Sequence, residues 1–219
     1  MAIAFDSATN PVISVSGTTL TFAHTCTGAD RKLFVGVFAR NLTVSSVTYG
    51  GDSLTEIGVR QGPQGGSNDY ISMFYLDAPS SGSNNVVVTL ASGGLQIAGA
   101  TSYTGCGTGI DAFAENNNTS ESTTTTTLTT TVDNAWVMGM VRAGSNGNTS
   151  ASTGTVTRAN TNGFLQMYDK NAPVSPAGSA SIVSTQSNQS TMAKIASFAP
   201  AGGGGGGVIQ PRFKGFSRP

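Results

Sequence analysis

Charged residues are scarce in this sequence. They make up 10% of its 219 residues, against roughly 25% in an average soluble protein, and serine, threonine, asparagine and glycine take their place. Apolar residues amount to 37%, which suffices for the thin core of a β-sandwich. The formal net charge is zero, so the whole chain has no field that would attract nucleic acid or an anionic membrane. We therefore expect neither of these as a partner.

Residue types that commonly carry nucleophilic catalysis are also few. His24 is the only histidine and lies two residues before Cys26. A nucleophile and its base must lie within hydrogen-bond reach, whereas strand residues two apart are about 7 Å from each other. Cys106 is the second cysteine. A disulfide between Cys26 and Cys106 is possible, but the absence of framework spacing favours two buried thiols.

The acidic residues show no pattern of an active site. The candidates are Asp52, Glu56, Asp69, Asp77, Asp111, Glu115, Glu121, Asp133 and Asp169. Most lie in predicted turns, where aspartate is favoured for backbone hydrogen bonding, and nothing singles out the two carboxylates that a glycosidase needs. No calcium loop or phosphate-binding loop is recognisable either. We expect no catalytic residue, no cofactor and no metal, and hence no enzyme.

Membrane and export signals are missing as well. No apolar run is long enough to cross a membrane, and residues 1–6 have neither the basic nor the apolar region of a signal peptide. These features predict a protein that is made and assembled inside a cell, or a mature chain that has acquired a new methionine.

What the sequence does contain is short bursts of β-forming residues separated by Gly, Asn, Ser and Pro clusters. The predicted strands are residues 18–23, 33–39, 44–49, 54–59, 70–76, 85–90, 95–104, 123–132, 135–142, 153–158, 164–168, 180–185 and 192–198. No stretch of a dozen residues keeps a helical apolar period without Gly or Pro. Residues 33–39 and 136–141 are apolar on both faces and predict central strands, whereas the threonines of 123–127 predict an edge or subunit-contact strand.

Four sequence blocks recur in the same order and indicate an internal duplication. The matches are 19–21 with 127–129, 34–40 with 136–142, Tyr75 and Ala78-Pro79 with Tyr168 and Ala172-Pro173, and 97–103 with 192–198. Similarity produced by low-complexity composition is the alternative. One repeat supplies too few strands to close a core. We therefore predict a two-sheet β-sandwich of jelly-roll character over residues 1–200, with pseudo-repeats at about 18–104 and 123–199.

Residues 201–219 differ from the rest of the chain. Six glycines, 202–207, predict a tether. The twelve residues that follow carry three cations, two aromatic and two aliphatic side chains, and no acid. An apolar and basic tail of this kind predicts a peptide anchor that binds a neighbouring subunit or a larger assembly, with the two Phe side chains as apolar plugs; a frayed terminus is the alternative. The candidate anchor residues are Val208, Ile209, Arg212, Phe213, Lys214, Phe216 and Arg218.

Aromatic side chains suggest a second kind of binding site. Tyr49 or Tyr70 would favour a carbohydrate-binding module if their rings formed an exposed platform, whereas Tyr75, Tyr103 and Trp136 lie in apolar bursts and are expected in the core.

One part of the chain resembles a known class of domain. The segments 34–37 (FVGV), 46–55 (SVTYGGDSLT), 75–79 (YLDAP) and 82–90 (GSNNVVVTL) resemble β-sandwich domains of bacteriophage and prophage structural proteins. The resemblance covers about residues 18–104, and it implies a virion role without catalytic residues. It does not include the six-glycine tether and the tail.

These observations lead us to expect a virion structural protein, either a capsid decoration or a head- or tail-associated protein. It would assemble in the host cytoplasm as a homo-oligomer, in contact with sister subunits and with a major capsid or other virion protein. Two alternatives stay open. One is a carbohydrate- or receptor-binding module, with a glycan as partner, and the other is a surface-layer or filament subunit at the cell surface.

Overall fold

The computed structural model describes residues 1–58, 69–144, 149–161 and 164–202, which form strands, turns and loops and no helix. The strands are β1 (Ala4–Ser14), β2 (Thr19–Cys26), β3 (Lys32–Arg40), β4 (Val44–Tyr49), β5 (Asp52–Ser53), β6 (Thr55–Glu56), β7 (Asp69–Asp77), β8 (Gly82–Leu90), β9 (Gln96–Thr104), β10 (Ala112–Thr129), β11 (Trp136–Ala143), β12 (Thr149–Ala151), β13 (Val156–Thr161), β14 (Leu165–Asp169) and β15 (Ser179–Phe198). All pairings between them are antiparallel. The prediction of an all-β sandwich is confirmed.

A five-stranded sheet, in the order β1-β9-β3-β7-β6, forms the middle layer of the molecule. Successive side chains of a strand point to opposite faces of the sheet. On β3, Phe34 therefore joins one hydrophobic cluster, and Leu33 and Val35 join another. Because both faces are covered, nearly every residue of β3 is buried, as the apolar residues of 33–39 predict.

A four-stranded sheet, in the order β2-β8-β4-β5, covers one face of the middle sheet. The edge strand β2 alternates exposed and buried residues along its whole length, as expected for a strand with one solvent face. Gly50 and Gly51 both have positive φ angles in the turn between β4 and β5, a conformation that glycine adopts without the steric cost of a Cβ atom.

A six-stranded sheet packs on the other face, and its two longest strands bend. The main path is β10-β15-β11-β14-β13, and β12 pairs with β15 outside this path. The β10–β15 register is interrupted between Asn118 and Thr123. Ile182, from beyond this interruption, lies in one cluster with Val137 and Ile195 from the main sheet. Residues 123–129 of β10 and 179–185 of β15 form the far half of what we call the β10–β15 ribbon. Together with β12, this far half therefore folds over the outer face of its own sheet.

The largest hydrophobic cluster joins the two halves of the chain, which are β1–β9 and β10–β15. It contains Phe34 and Tyr103 from the middle sheet and Trp136, Met140 and Phe198 from the six-stranded sheet. The ring centroids of Tyr103 and Phe198 are 5.3 Å apart. Tyr103 and Trp136 are buried as predicted. The cluster makes the body one packed unit instead of two separate sandwiches.

The two halves share one strand order. The first half has β1-β9-β3-β7 as its inner layer and β2-β8-β4 as its outer layer. In the second half, the inner layer is formed by β10, β15, β11 and β14, and the outer layer by the far parts of β10 and β15 with β12. An internal duplication would produce this correspondence, and the duplication stays a prediction.

The structure also differs from the sequence prediction in specific places. It has three sheets where two were predicted, because β1–β9 form two sheets and β10–β15 form a third, whose strands β10 and β15 each contribute to two layers. β1 was not predicted as a strand, and β10 begins at Ala112, well before the predicted start at residue 123. β10 does form the end of its sheet's strand order, so the prediction of an edge strand is confirmed. Its contact with another subunit stays a prediction.

Candidate functional site

Most acidic side chains of the described body take part in ion pairs or cap backbone amides. The ion pairs are Lys32 with Asp77, Arg40 and Arg142 with Asp69, Arg158 with Asp169, and Lys194 with Glu115. Lys32 and Lys194 have fully buried side chains, so their charges depend on these carboxylates. Within the ranges that the structure describes, no group of three His, Cys, Asp or Glu side chains could hold a metal ion.

His24 is buried and hydrogen-bonded to the middle sheet. Its Nδ1 lies 2.9 Å from the hydroxyl oxygen of Thr9 on β1. Burial lowers the pKa of His24 to about 4, although the nearby Asp6 carboxylate acts in the opposite direction. Burial likewise raises the pKa of Cys26, the opposite of what an activated nucleophile requires. His24 and Cys26 are therefore part of the packing between β2 and the middle sheet, to which β1 belongs.

Both cysteines are free and buried, as the sequence favoured. Cys106 lies in the segment that connects the two halves of the body, and 7% of its surface is exposed. Burial raises its pKa to about 12, so almost none of it is thiolate at neutral pH.

Tyr49 does not form the exposed aromatic platform that would favour a carbohydrate-binding module. Its ring is completely buried, and its hydroxyl donates to the carbonyl oxygen of Gly82 at 2.9 Å. Tyr70 is half-buried. Tyr49 was a candidate because, unlike Tyr75, Tyr103 and Trp136, it was not assigned to an apolar burst. The packing of β4 on the middle sheet instead turns the ring inward.

Ala199 and Ala201, near the end of the described chain, are hydrogen-bonded to one end of the body. Backbone hydrogen bonds run from Gly107 to Ala199 at 2.7 Å and from Ala201 to Gly105 at 2.7 Å. The amino group of Met1 donates to the carbonyl oxygen of Ala201 at 2.9 Å. The first residue, the segment between the halves and the residues that precede the tail therefore lie side by side.

Two clefts open at this end of the body. The first, which we call the linker cleft, has a volume of about 700 Å³ and is lined by Asp30, Cys106, Thr108, Asp111 and Thr131, among others. The second, the terminal cleft, has a volume of about 520 Å³. Its walls include Met1, Ile3, Asn134 and Pro173. Pro200, Ala201 and Gly202 line both clefts and form the ridge between them.

Asp111 is held in place on the wall of the linker cleft. Its carboxylate accepts hydrogen bonds from the backbone amide of Thr131 at 3.1 Å and from the hydroxyl of Ser197 at 2.8 Å. Thr131 and Ser197 belong to the second half of the chain, whereas Asp30 reaches the same cleft from the β2–β3 loop. The linker cleft thus has two carboxylates on its wall, and it is a concave surface suited to a basic peptide.

The predicted anchor residues, Val208, Ile209, Arg212, Phe213, Lys214, Phe216 and Arg218, lie outside the described residues. The chain is described as far as Gly202, which lies in the ridge between the two clefts.

Sequence reasoning missed both clefts. They are made by loop backbone, two prolines and small side chains, which show no periodic pattern. The only available signal was the pair of Gly-containing segments at 105–109 and 201–207, and neither segment indicates that it contacts the other.

The described chain contains no helix with the length and apolar character needed to cross a membrane. Comparisons with protein-family models, with curated proteins and with solved structures found no match to this chain.

Proposed function

We propose that the protein is a virion structural protein, either a capsid decoration or a head- or tail-associated protein, that binds an assembled particle through its surface and its C-terminal tail. The phage-like segments at 34–37, 46–55, 75–79 and 82–90 motivate the virion assignment. The proposal includes contacts with sister subunits and with a major capsid or other virion protein, and it includes no catalytic step.

One observation carries the proposal. Ala199 and Ala201 are hydrogen-bonded to the segment between the halves, and Ala201 also to Met1, so Gly202, which begins the glycine run before the tail, has one defined place on the body. A tail with three cations and two aromatic rings in its last twelve residues can then bind a second surface while the body stays outside it. Attachment by tail and body together raises the effective concentration of each contact.

The composition of the body supports a role in display. Three of the 11 basic residues lie in the tail, which leaves eight against 11 acidic residues in the rest of the chain, a net charge of −3. The body and the tail therefore carry opposite charge. A basic tail is attracted to an acidic partner surface, whereas the acidic body favours contact with a different surface of the particle.

The test compares particles that carry different forms of the chain. Particles are purified from a host that expresses the gene, and the copy number of the protein per particle is measured by quantitative mass spectrometry. The chain truncated after Gly202 should fold with an unchanged circular dichroism spectrum and lose most of its incorporation. The Phe213→Ser, Phe216→Ser double variant should lose it as well, because the rings supply the apolar contact.

A matched control changes the charge of the body instead of the tail. Glu121 is exposed at the bend of the β10–β15 ribbon, and Glu121→Gln should leave incorporation unchanged. Full incorporation of the truncated chain would refute the anchor, and absence of the unmodified chain from every purified particle would refute the virion role.

A further inference from the structure

The two clefts at the end of the body have a candidate occupant in the same chain. We propose that residues 208–219 fold back onto their own molecule and lie across the linker cleft and the terminal cleft. The side chains of Phe213 and Phe216 would fill the apolar parts of the clefts, and the cations of the tail would lie near Asp30 and Asp111. This inference does not rest on the virion role, because a tail can bind its own body whether or not it later binds another protein.

The position of the chain end makes the contact accessible. Gly202 lines both clefts, so the tail starts between the two surfaces that would bind it. Five further glycines, 203–207, separate Gly202 from Val208. Five residues can span at most about 17 Å, and glycine adopts the positive φ angles that a sharp reversal of the chain requires. The tail therefore has both the reach and the backbone freedom to turn back at once.

The terminal cleft supplies an apolar surface for a ring. Ile3, Pro173 and Pro200 contribute to its lining, and Met1 stands at its edge with 73% of its surface exposed. Burial of a phenylalanine side chain there stabilises the contact because its apolar area is removed from water. The tail has two such rings, three residues apart, and the body has two clefts on either side of one ridge.

The linker cleft supplies charge of the opposite sign. The carboxylate of Asp30 is on an exposed loop, and that of Asp111 is held on the cleft wall by Thr131 and Ser197. The tail carries Arg212, Lys214 and Arg218 and no acid. Ion pairs at an exposed site contribute little to affinity. The rings therefore supply most of the affinity, and the charges set the direction of the tail.

The clefts bind the tail of their own molecule and not the tail of a second copy, because the attached tail has the higher local concentration. A short linker gives an attached peptide an effective concentration on the order of a millimolar at its site. Tails of other copies reach that concentration only in a dense assembly. In dilute solution the contact is therefore within one molecule.

Thiol labelling at the cleft tests the proposal. Thr108 is exposed and lines the linker cleft, and Thr108→Cys introduces a thiol that a maleimide can reach when the cleft is empty. The full chain with this substitution is compared with the same chain carrying Phe213→Ser and Phe216→Ser. If the tail binds with a Kd of about 100 μM at a millimolar effective concentration, it should slow labelling by about tenfold. Tandem mass spectrometry, which assigns the label to a single residue, separates this site from Cys106 in the same peptide and from Cys26.

Ser120→Cys is the matched control. Ser120 is exposed at the bend of the β10–β15 ribbon, and a thiol there should react at the same rate with and without the two tail substitutions. Equal rates at residue 108 in both forms would overturn the proposal. Slower labelling that disappears on dilution would also overturn it, since this result would assign the contact to the tail of a second copy. Because the protein is labelled in the absence of any particle, the outcome is independent of the incorporation experiment.

Discussion

Arg158 on β13 donates its Nε–H to Oδ2 of Asp169 on β14 at a distance of 2.8 Å. The carboxylate of Asp169 is completely buried, and only 14% of the Arg158 side chain is exposed. The guanidinium also lies over the ring of Phe5 on β1, with its carbon 4.2 Å from the ring centroid. This ion pair therefore connects the six-stranded sheet to the middle sheet.

Removing the charge of Asp169 should destabilise the folded protein. Asp169→Asn leaves the buried Arg158 without its anion, and loss of one partner of a buried pair typically destabilises a protein by about 3–5 kcal/mol. Chemical denaturation followed by circular dichroism measures the loss. Asp133→Asn is the matched control, because Asp133 is exposed and its oxygen accepts from the Ala177 amide, a bond that asparagine can keep. A loss below about 1 kcal/mol for Asp169→Asn would contradict the role of the pair.

His24 should make the fold sensitive to moderate acid. Burial lowers its pKa in the folded protein to about 4, whereas an unfolded histidine titrates near 6.5. Between these values the unfolded chain binds a proton that the folded chain does not, so stability falls as the pH falls from 6.5 to 4. Above pH 6.5 the folded protein is therefore more stable by about 3 kcal/mol than below pH 4, as far as His24 alone contributes.

The measurement is the free energy of unfolding across this pH range for the unmodified chain and for His24→Gln. Glutamine does not titrate, so the variant should show a flatter pH dependence. Parallel curves for the two proteins would show that His24 does not carry the effect.

The cluster between the halves should control the stability of both. Phe198 is completely buried and lies 5.1 Å from Phe34 and 5.3 Å from Tyr103, measured between ring centroids. Phe198→Ala leaves a cavity there and should destabilise the protein by about 3–5 kcal/mol. Phe113 is 50% exposed, and Phe113→Ala should cost about 1 kcal/mol or less.

The same cluster predicts a single unfolding transition. Trp136 fluorescence reports on the second half, and the reactivity of the Cys26 thiol reports on the first. Because Phe34 and Trp136 belong to one cluster, both probes should change at the same denaturant concentration. Two separated transitions would show that the halves are held together less firmly than the packing indicates.

The thiols should be inert in the folded protein. Cys26 has no exposed surface, and burial raises the pKa of Cys106 to about 12. We expect neither thiol to react appreciably with a disulfide reagent at neutral pH, and both to react at once in denaturant. Detection of a Cys26–Cys106 disulfide in the purified protein would contradict the structure.

The sequence predicted strands well where apolar residues alone determine them. Residues 33–39 are apolar at both odd and even positions, which only a strand covered on both faces can bury. Residues 112–122 are different, since this run of Asn, Ser and Glu has little β propensity of its own. It is a strand because it pairs with the apolar C-terminal part of β15, an interaction between distant parts of the chain.

β1 shows the same limit. It contains Asp6, Asn10 and Pro11, and its pairing with β9 is irregular at two places. No local pattern would identify such a strand, and its position depends on the buried edge that β9 offers. The clefts are harder to predict from the sequence, because each of them forms only where four separate segments of the chain meet.

β15 is one continuous strand of twenty residues that belongs to two layers. Its outer part presents Ala180 and Ile182, and its inner part presents Ala193 and Ile195, to the same cluster. A slip of one residue along β10 would turn all four side chains away from that cluster at once. The outer ribbon and the inner sheet thus share one apolar cluster, and detaching the outer ribbon would expose Ala193 and Ile195 of the inner sheet to water.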